Sequence, residues 1–184
     1  MRIKAAPHKE NVVVELAAQD EGLLRPLPFR LQRILTPTDF SPTAKKALQY
    51  ALPFAKAFDA ELLLLHVLQP FTVPAELGYM PPEMAALERD LALSVPRELE
   101  KLREDIVGAG IRSQVLVRQG APWQEIVAAA QETNTDLIIL STHGRTGLPH
   151  VLMGSVAERV ARHASCPVLV VREQERDFAP GAPA

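Results

Sequence analysis

The chain has 184 residues and a mass of 20.2 kDa, the usual size of one domain with a sizeable core. Its 20 basic and 22 acidic residues leave a net charge of -2, so nucleic-acid binding is not expected. The one cysteine, Cys166, excludes an internal disulfide and favours a reducing compartment. No apolar run approaches the ~20 residues of a membrane helix. Composition therefore predicts a cytoplasmic protein that does not cross a membrane.

The positions of the 16 prolines indicate where the folded domain lies. Residues 173–184 end in Ala-Pro-Gly-Ala-Pro-Ala and offer little apolar surface, so they are predicted to be a disordered tail. Residues 1–30 are predicted to be an N-terminal extension, whose apolar stretch at 12–16 is followed by Pro26 and Pro28. The domain then spans residues 31–172.

Alternating apolar patterns predict the elements of this domain. Five short apolar runs predict strands at residues 33–36, 62–67, 111–117, 136–140 and 168–171. Apolar residues at three-to-four spacing predict four intervening helices, over 42–58, 82–110 with a break at Pro96, from 122 onward, and 155–164. Ser41 is the expected N-cap of the first helix, and Ser155 with Glu158 forms a capping box for the last.

This βαβαβαβαβ order predicts an α/β fold, a doubly wound five-stranded parallel sheet with helices on both faces. The more polar third strand is expected at one edge of the sheet, and the last strand is also expected at an edge. Ligands of such folds bind beyond the carboxyl ends of the strands, where the strand order reverses. Strands one and four are expected to be neighbours at that point.

Three of the nine glycines lie between strand four and the last helix: Gly144, Gly147 and Gly154. With hydroxyls, Arg145 and the positive end of a helix, this segment has the features of a phosphate site. The alternative is that the glycines only turn the chain. Neither Gly-x-x-x-x-Gly-Lys-Ser/Thr nor Gly-x-Gly-x-x-Gly occurs, which argues against a P-loop or dinucleotide site.

Asp39, after strand one, is expected to face the glycine loop. Its carboxylate would bond a ribose hydroxyl or a phosphate-bound metal ion, or it would form a turn that helps to start the first helix. His66 is expected to pack or bond to backbone, and no histidine has a partner at metal-ligand spacing. No metal residue is therefore assigned.

Four segments give the chain a resemblance to the universal stress protein family: 34–41, 64–67, 136–158 and 166–171. The resemblance spans residues 30–172 and implies an adenine nucleotide alpha hydrolase-like fold. ATP-binding members carry Gly-x-x-Gly, nine residues, then Gly-Ser/Thr. Gly144 and Gly154-Ser155 match this motif, whereas Ser141 replaces its first glycine.

The resemblance implies a nucleotide site by position. Base and ribose would lie against Pro37, Thr38 and Asp39, with adenine at the backbone of Val67 and along a wall of Leu140 and Ser141. The phosphates would be held by the remaining six residues, which are His143, Gly144, Arg145, Gly154, Ser155 and Val156. The ligand expected is ATP, alone or with Mg²⁺.

Two functions from different classes follow. The first is an ATP-binding regulatory or sensor protein of the stress response with little or no catalysis, because no residue is selected as a base for hydrolysis. The alternative is a nucleotide-free interaction module in which Ser141 blocks the pocket. The resemblance also implies a homodimer through the last strand, Val168 to Val171, whose apolar edge would otherwise be bare. Residues 12–16 could cover that edge instead.

Overall fold

Five parallel strands form one sheet in the computed structural model, which describes residues 30–71, 79–144 and 153–175. The strand order is β3-β2-β1-β4-β5, which confirms the predicted doubly wound α/β fold. The predicted extension, apart from Arg30, and the tail beyond residue 175 lie outside the described residues. The strands are β1 (Arg33–Pro37), β2 (Glu61–Leu68), β3 (Ser113–Gln119), β4 (Leu137–Ser141) and β5 (Val168–Val171).

Four helices connect these strands: α1 (Pro42–Phe58), α2 (Pro82–Gly108), α3 (Pro122–Glu132) and α4 (Ser155–His163). The first three begin at a proline, whose missing N–H has no partner to lose in the first turn. Ser41 is the N-cap of α1, as predicted, because its Oγ accepts a hydrogen bond from the Ala44 N–H at 3.1 Å. None of the helices in the described ranges is long and apolar enough to cross a membrane.

Two predicted details are wrong. The helix α2 continues through Pro96 without a break, and Pro96 lies on its exposed side. A carbonyl that loses its helical donor there remains open to water, so the break is not required. The N-cap of α4 is Gly154 rather than Ser155, because the Gly154 carbonyl accepts the Glu158 N–H at 3.0 Å. The capping box therefore does not form, and no side chain caps α4.

The sheet separates two apolar cores. Side chains of α1 and α2, including Ala47, Ala51 and Leu99, pack with alternate strand residues on one face. Side chains of α3 and α4, including Ile126 and Val160, cover the other face. The central strands β1, β2 and β4 are buried on both faces, which explains why the leucine run in β2 shows no polar alternation.

The strand order reverses between β1 and β4, as predicted. Ile34 pairs with Leu137 and Leu35 with Ile138, so the two strands end side by side. The chain leaves β1 toward one edge, through β2 to β3, and leaves β4 toward the other edge at β5. The loops after β1 and β4 diverge from this point, and a crevice opens between them.

Candidate functional site

A cleft of about 710 Å³ opens at the carboxyl ends of the strands. The loops after β1 and β4 and the first turn of α4 form one side of it, and the end of β2 and part of α2 form the other. Its size lies within the range of about 300 to 1,000 Å³ that small-molecule sites occupy. The cleft is therefore large enough to hold a nucleotide.

The loop between β1 and α1 is held by its own short-range hydrogen bonds. The Thr38 Oγ1 accepts from the Phe40 N–H at 3.1 Å, and Asp39 Oδ1 accepts from the Ser41 N–H at 3.0 Å. Phe40 adopts a left-handed conformation with φ of 65°, which costs a bulky residue about 1–2 kcal/mol. Its ring stacks on His66 with the ring centroids 5.0 Å apart. These contacts oppose the strain and fix the direction of the Asp39 side chain.

His66 ties this loop to β2 through hydrogen bonds with backbone. Its Nδ1 donates to the Thr38 carbonyl at 2.8 Å, and the Thr38 N–H donates to the Leu65 carbonyl at 2.8 Å. The sequence-based expectation of a backbone-bonded histidine is confirmed. Across the described ranges, no group of three His, Cys, Asp or Glu side chains is arranged to hold a metal ion.

Gly144 and Gly154 occupy positions where an added Cβ would come close to another segment of the protein. A Cβ on Gly144 would lie 2.5 Å from Asp39 Oδ2, which shows that Asp39 lies against the glycine loop as predicted. A Cβ on Gly154 would lie 2.6 Å from the Thr142 carbonyl oxygen, to which the Gly154 N–H donates at 2.8 Å. Glycine is thus needed at 154, where backbone approaches backbone, whereas a Cβ at 144 would require the Asp39 carboxylate to move.

The first turn of α4 points its amides at this cleft. Gly154 is extended, with φ of -71° and ψ of 154°, and helical bonding starts at its carbonyl. The N–H groups of Ser155, Val156 and Ala157 precede the first helical bond donor, and no side chain caps the helix. All three residues line the cleft. This end of α4 can bind an anion through backbone amides and the helix dipole.

His143 enters the cleft beside these amides. Its Nδ1 lies 3.1 Å from Thr142 Oγ1, while its Nε2 is buried and has no hydrogen-bond partner among the described residues. A buried, unpaired ring nitrogen is unfavourable unless a ligand or water satisfies it. The side chain is therefore suited to contact a polar ligand.

The structure brings together eleven of the twelve residues that the sequence assigned to the site. The twelfth, Arg145, lies outside the described residues. All eleven line the same cleft: Pro37, Thr38, Asp39, Val67, Leu140, Ser141, His143, Gly144, Gly154, Ser155 and Val156.

Other lining residues were missed by sequence reasoning. The end of β2 and the segment after it contribute Gln69 and Phe71, and α2 contributes Glu88, Leu91 and Val95. Gln69 and Phe71 follow the end of β2, and they could have been predicted because the carboxyl ends of parallel strands share one edge of the sheet. The α2 residues have no sequence signal, because their apolar spacing is that of any helix packed on a core.

The fold and the cleft define a doubly wound α/β domain with a ligand-sized crevice at its switch point. The sequence model of the universal stress protein family matches residues 30–172, and the chain belongs to this family. Universal stress protein MJ0531 of Methanocaldococcus jannaschii is 38% identical over 150 residues, 79% of this chain and 85% of that protein.

Two solved structures have the same fold as this chain. The structure of protein MJ0577 from the same organism is 31% identical, with a TM-score of 0.68 over 82% of this chain and 100% of that chain. A universal stress protein in complex with cAMP is 24% identical, with a TM-score of 0.55 over 79% of this chain and 100% of that chain. At 24% identity, the comparison with the cAMP complex shows that the two proteins share a fold.

Proposed function

We propose that this universal stress protein binds ATP in the cleft at the β1/β4 switch point. The observation that carries the proposal is the convergence of three groups there: the uncapped amides of α4, the Gly144 backbone and the Asp39 carboxylate. Amides at the start of a helix bind phosphate. A carboxylate in the loop after a neighbouring strand can accept hydrogen bonds from ribose hydroxyls. That a protein of the same fold binds cAMP supports an adenine nucleotide as the ligand class.

The proposed pose follows the shape of the cleft. Adenine lies toward the apolar side at Val67 and Leu140, and the ribose lies near Asp39. The phosphates lie against the first turn of α4 and beside His143, whose unpaired Nε2 is then satisfied. The family resemblance assigns Arg145, which lies outside the described residues, to the phosphates as well, and the ligand is ATP, alone or with Mg²⁺. These assignments use the same residues that the family resemblance implies.

The proposed role is regulatory rather than catalytic. Binding stabilises the folded chain and couples the ATP level to its shape or partners in the stress response. Hydrolysis would need an oriented water and a base close to the γ-phosphate, and although Asp39 and His143 line the cleft, nothing selects either of them as that base. ADP release from ATP at the ordinary enzymatic rate of about 1 s⁻¹ or faster would refute this part of the proposal.

Two measurements test the binding. The purified chain is precipitated with acid and the supernatant analysed for adenine nucleotide, and the melting temperature is followed during titration with ATP and Mg²⁺. A ligand at 100 times its Kd adds about 2.7 kcal/mol to the free energy of unfolding. GTP, which carries the same phosphates on another base, serves as the control. No shift with millimolar ATP would end the proposal.

The replacement of a motif glycine by Ser141 favours one second candidate, a nucleotide-free interaction module of the same fold. Ser141 lines the cleft, and its side chain occupies space that a glycine would leave open. On this hypothesis no adenine nucleotide is recovered and ATP does not raise the melting temperature. The same two measurements therefore separate the two functions.

We further propose a homodimer through β5 for either function. The strand is an edge of the sheet, and Val168, Leu169 and Val170 are only half-buried in the single chain. An apolar edge of this kind is stabilised when a second copy pairs with it. Sedimentation of the full chain at micromolar concentration should give twice the monomer mass of 20.2 kDa. A species at the monomer mass would contradict the dimer.

A further inference from the structure

The carbonyl of His143 accepts two hydroxyl hydrogen bonds. Ser141 Oγ donates to it at 2.8 Å from the end of β4, and Thr43 Oγ1 donates to it at 2.8 Å from the first turn of α1. Because Thr43 gives its hydrogen to His143, it accepts that of Ser41, whose Oγ lies 2.8 Å away. Ser41 Oγ in turn accepts the Ala44 N–H. Thr43 and Ser41 thus each donate one hydrogen bond and accept another, and Ser141 donates one.

These bonds orient the peptide group between His143 and Gly144. No described peptide bond is cis, so the Gly144 N–H is directed opposite to the His143 carbonyl. Thr43 is buried and does not line the cleft, whereas Gly144 does. Within the described ranges no backbone carbonyl accepts a hydrogen bond from the Gly144 N–H.

We infer that Ser141 and Thr43 are positioning residues, which hold the Gly144 N–H toward the cleft as a donor to a phosphate oxygen of the nucleotide. The inference rests on the proposed function, because it names how that site holds its phosphates. The donor is oriented before the ligand arrives, so binding requires no reorganisation of this peptide.

On this inference, Ser141 supports nucleotide binding and does not block the cleft. Its φ lies outside the left-handed region, so serine adopts this backbone without the strain that would call for glycine. Its hydroxyl hydrogen is used within the protein, on the His143 carbonyl. Glycine at this position would lack that donor and would leave the loop with more freedom.

Calorimetric titration of the full chain with ATP and with adenosine tests the inference. Ser141→Ala and Thr43→Val each remove one hydroxyl, and each should weaken ATP binding about fivefold, the factor for one hydrogen bond of about 1 kcal/mol. Adenosine, which has no phosphate, should bind Thr43→Val with unchanged affinity, because Thr43 does not line the cleft. Thr43→Ser keeps the hydroxyl and should bind ATP as the wild type does.

Ser141→Gly separates positioning from obstruction most sharply. If Ser141 orients the peptide between His143 and Gly144, this variant should bind ATP more weakly than the wild type. If Ser141 instead obstructs the cleft, the variant should bind ATP more tightly. The inference is overturned if ATP affinity is unchanged in Ser141→Ala and Thr43→Val, if Thr43→Val weakens the binding of ATP and adenosine equally, or if Ser141→Gly binds ATP more tightly.

The failure of the inference is distinguishable from failure of the proposed function. If the wild type binds neither ATP nor adenosine, the proposed function itself fails, and the inference with it. If the wild type binds both and the variants bind as the wild type does, only the inference fails. Should Ser141→Ala not fold, Thr43→Val and Thr43→Ser decide the question, because Thr43 bonds to the His143 carbonyl without lining the cleft itself.

Discussion

Replacing Gly154 with alanine should destabilise the protein because the new methyl group has no space. The backbone of Gly154 has φ of -71° and ψ of 154°, a conformation that alanine adopts without strain. The added Cβ would lie 2.6 Å from the Thr142 carbonyl oxygen, which already accepts the Gly154 N–H at 2.8 Å. Backbone must move to relieve this contact, and the hydrogen bond between the two residues lengthens when it does.

The expected loss can be worked from these contacts. Overpacking costs about 1 to 3 kcal/mol, and a weakened hydrogen bond adds up to about 1 kcal/mol. For a chain of this size each kcal/mol lowers the melting temperature by about 2 to 4 °C. A central loss of about 2.5 kcal/mol therefore corresponds to a decrease of roughly 5 to 10 °C.

Thermal and urea unfolding of Gly154→Ala provide the measurement, and Gly108→Ala is the matched control. Gly108 is the last residue of α2, and a Cβ there would meet no atom within 4 Å. The control should be as stable as the wild type or slightly more so, since alanine favours a helix by up to about 1 kcal/mol relative to glycine. If Gly154→Ala unfolds at the wild-type temperature, the close approach of Gly154 and Thr142 is not what requires glycine.

Three further predictions concern the cleft and the adjoining core. Gly144→Ala should cost up to about 1 kcal/mol, because its Cβ would lie 2.5 Å from Asp39 Oδ2 and the carboxylate must turn away from the Ser41 N–H, and adding Asp39→Ala should make the glycine replacement nearly neutral; independent, additive losses in urea unfolding would contradict the contact. Ser41→Ala removes the N-cap of α1 and should lower the free energy of unfolding by about 1 kcal/mol, and an unchanged urea midpoint would exclude that capping role. Burial, and then the charge of Asp136, raises the pKa of the Cys166 thiol, so the folded state favours the protonated form and stability should fall as the pH rises beyond about 8.5. Cys166→Ala should lack this part of the decline, and identical pH profiles for the two proteins would contradict the shift.

Periodicity in the sequence was sufficient to predict the elements and their order. The leucine run of β2 and the alternating helical patterns each depend on residues close in the chain, and the observed strands lie within a few residues of the predicted ones. The neighbouring positions of β1 and β4 also followed, because short right-handed crossovers leave few topologies open. Two predictions from local sequence were wrong: the helix break at Pro96 and the N-cap of α4. At both places the conformation depends on the surroundings in the folded protein.

The start of α4 shows why local pattern was insufficient there. Ser155 and Glu158 have the spacing of a capping box, yet the bond from the Gly154 N–H to Thr142 moves the N-cap one residue earlier. That bond joins residues twelve positions apart, so it leaves no trace in the local sequence. Its consequence is functional, because the amides of α4 remain available to a ligand instead of being capped by a side chain.

Residue types at short spacings were sufficient to predict the fold class and to carry the family resemblance, and that resemblance supplied the eleven residues that line the cleft. The contacts of Ser141 could not be predicted in this way. From the sequence Ser141 was a departure from a glycine motif with two opposite interpretations, whereas in the fold its hydroxyl meets the His143 carbonyl together with Thr43. Thr43 is separated from His143 by 100 positions along the chain. Such a contact exists only after the β1/β4 switch point has brought α1 and β4 together, which no local pattern encodes.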